Sequence, residues 1–546
     1  MVGVVTTLLG ALLLLGACSR SESTNVDPYA LYRPALKPEF QRDFDLMDKA
    51  PRYYLTVGIT PTGELLLGTA EIDVTNYSPD PWRYLVFRLY PALQQYGGEM
   101  TIQSVAVNNQ PTNFIYQAQN SAVRINLPGT LAPDERVRVR LTYRLTIPQW
   151  SDSPGVYALY GRSQQMTTLP LFYPTLAVYQ PDPALGSGTW WQDIGTARGD
   201  AAFNVTSLFV VTATLPSEQV PVTPGTLIEA TTDDAGQTRY VWVTGPVREF
   251  ILHMSPIFTS ASAEAYGTRI TTYWLPGQEA AGRAALGYAV AALRIYSDYF
   301  GGYPAREMSV AVAPLTYRGM EYPQVNLLGV ELYTRFQNTM EILVAHEVAH
   351  QWWYQLVHND PINMPWLDEA LAEYSVKLYY ERLQGPREAA TLERQRWQTP
   401  LDLLISQAED APLNRDVGSF DDGQQYETVI YGKGALFYSR MRQVLGDRRF
   451  QRFLREYLNE YRYQIVDTAT WYETLGRLQL PELEMLFDEW VDALPAQTPS
   501  LVPGDEEGEE GDATEEPDDG ERSDGENDGE NDSEEGEPTE EVPNTV

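Results

Sequence analysis

The sequence predicts a multidomain α+β protein, a β-rich front half followed by a mainly helical back half. Two changes of texture predict it. From Tyr53 to about Phe258 apolar and polar residues alternate in short runs, as in Tyr54-Leu55-Thr56-Val57-Gly58-Ile59 and Val137-Arg138-Val139-Arg140-Leu141-Thr142-Tyr143. Turn formers punctuate these runs (Asn108-Asn109, Pro128-Gly129, Asp233-Asp234-Ala235-Gly236), which is the period of mostly antiparallel strands. After Tyr266 the spacing becomes helical, first over Ala280 to Phe300 and then almost without break from Asn338 to Leu494. Helix punctuation is legible there: Gly446-Asp447 reads as a stop and an N-cap, and Asp467 or Thr468 opens a further helix.

The ends of the chain differ from its middle. Val2 to Ala17 is an uncharged apolar run closing on Leu15-Gly16-Ala17-Cys18, and Cys18 is the one cysteine of 546 residues, so no internal disulfide forms. This pattern is similar to a bacterial lipoprotein signal, residues 1–18, in which Cys18 is lipidated and becomes the mature N-terminus. It implies a protein held to a membrane in the cell envelope, outside the cytoplasm. Residues 19–50, polar and carrying Pro28, Pro34 and Pro38, read as a tether. Residues 51–260 then form the β-rich domain and 261–496 the helical one. From Gly504 to Val546 there are 21 Asp/Glu against one Arg, so residues 497–546 read as a disordered acidic tail. That tail carries −20 of the formal −36, and the rest of the chain is only moderately acidic. An acidic chain repels nucleic-acid phosphates, which excludes them as partners.

Only four histidines occur, and two stand in His346-Glu347-Val348-Ala349-His350 within the helical run Met340 to Leu356. Positions i and i+4 share one helix face, so both imidazoles reach one tetrahedral zinc. Glu347, one step off that line, points to the water beside the metal. Nineteen positions beyond His350, Glu369 lies in Trp366-Leu367-Asp368-Glu369-Ala370-Leu371-Ala372-Glu373-Tyr374, the start of another helical stretch.

This spacing, with Glu369 inside Trp-Leu-Asp-Glu, resembles the signature of the zinc aminopeptidases of the aminopeptidase N family, which includes leukotriene-A hydrolases. Gln351-Trp352-Trp353 and Asn359-Asp360 also look like that family. The resemblance implies one Zn²⁺ held by His346, His350 and Glu369, with Glu347 as general base. It further implies a saddle-shaped N-terminal domain and a thermolysin-like catalytic domain. Glu373, one turn past Glu369, resembles a carboxylate that holds a ligand imidazole by its other nitrogen.

Two distant segments extend the likeness. Arg318-Gly319-Met320-Glu321-Tyr322-Pro323 is similar to the family's Gly-x-Met-Glu-Asn edge strand. There Gly319, Met320 and Glu321 bind substrate, and Glu321 pairs with its free α-amine. Tyr322 stands where the family usually has Asn. Tyr431-Gly432-Lys433-Gly434-Ala435 resembles the family's Tyr-x-Lys-Gly-Ala, which implies Tyr431 as the catalytic tyrosine donating to the oxyanion. The expected activity is removal of N-terminal residues from peptides. The alternatives are an endopeptidase or small-molecule hydrolase using the same metal, and a catalytically silent surface-binding lipoprotein.

Overall fold

The computed structural model describes residues 27–150, 160–182, 187–195, 198–315 and 318–492. Cys18, the apolar run before it and the acidic segment 497–546 lie outside the described residues. The β-rich half is built on an eight-stranded sheet. Its strands run in the spatial order Thr226–Thr232, Gln237–Val243, Leu208–Pro216, Arg52–Ile59, Leu65–Thr75, Arg136–Thr146, Glu99–Val107 and Gln110–Pro111. Strand Arg136–Thr146 shows why the alternating sequence folds this way. Val137, Val139, Leu141, Tyr143 and Leu145 all turn into the core, while Arg138 and Arg140 face out and pair with Asp73 and Glu71 on the neighbouring strand.

Residues 27–50 correct the reading of a tether. Arg33–Ala35 and Pro38–Leu46 form 3₁₀ turns, and Tyr32, Leu36, Phe44 and Met47 are at most 3% exposed. Leu36 bridges to Ala305, and Arg306 Nε donates to Leu36 O at 2.9 Å. Two of the prolines that suggested a spacer, Pro34 and Pro38, instead stand in the first positions of the two turns, and Tyr32, Leu36, Phe44 and Met47 around them provide the packing surface.

A five-stranded mixed sheet joins the two halves. Its order is Thr259–Ala265, Thr268–Trp274, Glu307–Ala313, Val325–Gly329 and Gly319–Tyr322, with the last as edge strand. One face, with Ala311, Ala313, Met320, Tyr322 and Leu327, belongs to the core of the β-rich half. The other, with Ile270, Val310, Val312 and Leu328, belongs to the core of the helical half. On that side lie α1 (Glu279–Phe300), α2 (Met340–Ala349) and α3 (Trp366–Leu383). The Ala-rich face of α1 lets it approach closely: a Cβ on Gly282 would meet the Trp274 ring at 2.1 Å. Tyr296 Oη on α1 donates to Ala345 O and Ser375 O at 3.0 and 3.1 Å, tying the three helices together.

Helix α2 ends at Ala349, earlier than the expected run to Leu356. The chain turns there to bury Trp352 and Trp353, and Trp353 bridges to Val357. Tyr354 reaches φ 129°, a conformation that costs a side-chain-bearing residue on the order of 1–3 kcal/mol. Further on, Asp467 caps its helix by accepting from Thr470 N at 2.7 Å. At the other predicted boundary Gly446, φ 73°, takes the turn and Asp447 is already helical.

Candidate active site

Helix α2 presents His346 on its last full turn and His350 just past its end, both at most 5% exposed. Helix α3 brings Glu369 against them. His346 Nε2 lies 3.1 Å from His350 Nε2, and each lies 3.2 Å from Glu369 Oε2. The outer nitrogens are already engaged: His346 Nδ1 contacts Glu373 Oε2 at 3.1 Å, and His350 Nδ1 contacts Trp353 O at 2.9 Å. An ionised carboxylate and a carbonyl can only accept, so both Nδ1 atoms carry the proton. In the neutral imidazoles both Nε2 lone pairs therefore face each other and a carboxylate oxygen. Three electron pairs so close repel unless a cation sits among them, and an ion about 2 Å from each is zinc's bonding distance. Burial acts against a charged His346, yet Glu369 and Glu373 push its pKa up to about 9, so the cluster calls for positive charge. The donor set fits Zn²⁺.

Glu347 is 4% exposed, and its Oε2 has no hydrogen-bond partner among the described residues. Gly319 leaves it room, since a Cβ there would meet Glu347 Oε1 at 2.0 Å. Burial pushes the Glu347 carboxyl up to about 7 against the pull of the two imidazoles, close to the value that suits a general base. Tyr431 donates to Glu369 Oε1 at 2.6 Å, and its ring stacks on that of His346 with centroids 5.7 Å apart. The tyrosine stands on a π-helix, Glu427–Lys433.

Glu321 sits on the edge strand next to Met320, 6% exposed, and burial raises its pKa well above the carboxylate range. Its carboxylate, His350 and Asp368 bring donor atoms within 4.8 Å of one another. The strand is fixed to the segment after α2 by two glutamines. Gln351 Nε2 donates to Tyr322 O and Asn326 Oδ1, Gln351 Oε1 accepts from Gln324 N, and Gln355 Nε2 donates to Glu321 O at 3.0 Å. The structure thus gathers His346, Glu347, His350, Glu369, Glu373, Tyr431, Gly319, Met320 and Glu321 into one neighbourhood. Asn359 and Asp360 serve as pegs instead: Asn359 Nδ2 donates to Asp368 at 2.9 Å, and Asp360 accepts from Trp191 Nε1 at 3.0 Å.

Sequence reasoning missed the partners of Glu373 and the group around Tyr354. Glu373 is fully buried, and both its oxygens accept from Arg396, while Trp397 Nε1 donates to Oε1 at 2.6 Å. Nothing local in Arg396-Trp397 announces this. From the β-rich half, Asp200 accepts from Tyr354 Oη at 2.8 Å, and Glu249 accepts from the same hydroxyl at 3.3 Å. Burial pushes Asp200 up to about 6 and holds Glu249 well above its ordinary value. The unusual φ of Tyr354 aims its ring between the rings of His350 and His358.

Residues 284–490 match the family described as the Peptidase family M1 domain. Aminopeptidase M1-A of Oryza sativa subsp. japonica is 24% identical over 465 residues, 81% of this chain and 50% of that protein. The chain thus spans about half the length of that relative. Aminopeptidase B of Homo sapiens is 23% identical over 492 residues, 81% of this chain and 68% of that protein. Among solved structures, an M1 zinc metallopeptidase from Deinococcus radiodurans superposes with TM-score 0.63 at 20% identity, covering 81% of this chain and 94% of that one. A variant of that enzyme bound to a Tyr-Ser-Ala substrate gives 0.61 at 19% identity, covering 82% and 95%. The superposition on the Deinococcus structures shows a shared fold.

Proposed function

We propose that this chain, which carries a peptidase family M1 domain, is a zinc-dependent aminopeptidase that removes N-terminal residues from peptides. The observation that carries the reading is the triangle of two Nε2 atoms and Glu369 Oε2, beside a Glu347 oxygen that has no partner among the described residues. His346, His350 and Glu369 would hold the metal. When bound, zinc supplies a Lewis acid and brings the pKa of a water down toward about 7.

The chain's own residues do the rest. Glu347 takes the proton of the attacking water at its Oε2 and returns it to the leaving amine. Tyr431, whose hydroxyl donates to Glu369 Oε1 in this structure, would turn that hydrogen bond to the oxyanion that develops on the scissile carbonyl. Glu321 on the edge strand pairs with the substrate ammonium and sets the register, which favours cleavage one residue from a free N-terminus. The backbone of that same strand lies beside Glu347, at the point where Gly319 carries no side chain. The related aminopeptidases and the Tyr-Ser-Ala complex of the Deinococcus protein support a peptide substrate.

The test is a matched pair of fluorogenic peptides, one with a free amine and one N-acetylated. The free peptide should be cleaved and the blocked one spared, and Glu321→Ala should erase the difference. Equal cleavage of both by the unaltered protein refutes the exopeptidase reading.

We also infer that the protein is a lipoprotein of the cell envelope, anchored through Cys18. Support comes from the apolar run ending in Leu15-Gly16-Ala17-Cys18. No helix among the described residues is long and apolar enough to cross a membrane. Cys18→Ser should abolish incorporation of a labelled fatty acid.

A further inference from the structure

The two ligand imidazoles are held from behind in different ways. His350 Nδ1 leans on a backbone carbonyl, Trp353 O, which no substitution can remove. His346 Nδ1 leans on a side chain, Glu373, whose place depends on other side chains. The Glu373 carboxylate is 1% exposed and accepts from donors on all sides: Arg396 Nε and Trp397 Nε1 on Oε1, and His346 Nδ1 with the more distant Arg396 Nη2 on Oε2. Arg396 and Trp397 are neighbours in a second π-helix, Glu393–Gln398, that packs on the one carrying Tyr431. The wider turn of a π-helix rotates successive residues less than an α-turn does, so both side chains aim at one carboxylate.

From this geometry we propose that Arg396 is a positioning residue for metal binding, acting through Glu373 on His346. The Arg396 side chain is 37% exposed, so it reaches inward from the surface to a buried acid rather than pairing with a solvated one. A guanidinium spans both oxygens of a carboxylate and fixes its plane, which an ammonium cannot do. With the plane fixed, Glu373 Oε2 stands where it accepts the Nδ1 proton, and the Nε2 lone pair is held on the point shared with His350 and Glu369. Without Arg396 the carboxylate keeps one firm anchor, Trp397, and can turn about it. His346 then loses its fixed orientation, and the donor triangle loosens.

This inference rests on the metal reading above, and zinc affinity measured by chelator competition on the full chain tests both. Arg396→Gln should weaken zinc binding about tenfold, the scale on which groups behind metal ligands act. Arg396→Lys, which keeps the charge but not the fork, should fall between Arg396→Gln and the unaltered chain. Glu373→Gln should weaken binding at least as much as Arg396→Gln. The decisive arm is the double variant: if Arg396 acts through Glu373, adding Arg396→Gln to Glu373→Gln changes affinity less than about twofold. Unchanged affinity in both Arg396 variants, or a further full tenfold loss in the Glu373→Gln background, overturns the proposal. An unaltered chain that takes up no zinc overturns the metal reading as well, so the two failures are distinct.

Discussion

His253 in the β-rich half and the pair His346 and His350 in the helical half are all buried, and their surroundings put them to opposite uses. His253 has both ring nitrogens occupied, by Thr168 Oγ1 at 2.9 Å and Val312 O at 3.0 Å, and burial lowers its pKa to about 4. It is a neutral, satisfied tie between a strand of the β-rich half and the central sheet. His346 and His350 have their outer nitrogens occupied in the same way, but their inner nitrogens face each other. The difference teaches where a fold stores function. A buried polar group with every partner present stabilises, whereas buried lone pairs aimed at one another make a site for something the chain does not itself supply.

Breaking the catalytic side of this comparison should cost most. Glu347→Gln should reduce turnover by roughly 10²–10⁴-fold while bound zinc stays stoichiometric, because the base is lost and the donor triangle is not. Steady-state kinetics beside metal analysis checks it, and retained turnover would remove Glu347 from the mechanism. Next, Tyr431→Phe should lower kcat by about 10²–10³-fold with little change in KM, as expected for a donor that acts on the transition state. An effect confined to KM would make the tyrosine a ground-state contact.

The smallest effect sharpens the structural side. His253 titrates near 6.5 when unfolded and near 4 when folded, so the unfolded chain binds the extra proton between those values. The tie's contribution is present above pH 6.5 and is lost as pH falls toward 4, by about 3 kcal/mol in all. Urea unfolding across that range should show the slope, and His253→Gln should flatten it. A slope unchanged in the variant would assign the acid sensitivity to other groups.

Legibility followed the range of the interactions. The His346–His350 spacing and the alternation of Val137 to Tyr143 are local periodicities, and each maps directly onto one helix face or one sheet face. Glu369, Glu321 and Tyr431 are far apart in the chain and were recognisable only through motifs resembling a family. Residues 27–50 misled because proline and polar composition say nothing of which apolar side chains among them find the core, and here Tyr32, Leu36 and Phe44 did. Arg396, Trp397, Asp200 and Tyr354 left no local trace, since their partners lie in other elements of the fold.

By itself, then, the chain's order of residues determined a strand-rich front half and a helical back half, a histidine pair one helical turn apart, and the kinds of group that a metal-assisted hydrolysis would need. Tertiary structure alone decided that two imidazoles and a carboxylate converge on a single point. It also decided that an edge strand passes beside Glu347, and that Arg396 and Trp397 of one π-helix grip the Glu373 carboxylate behind His346. The physical reason is that periodicity sets which face of a helix or strand a side chain occupies, while convergence depends on packing between elements that share no local code.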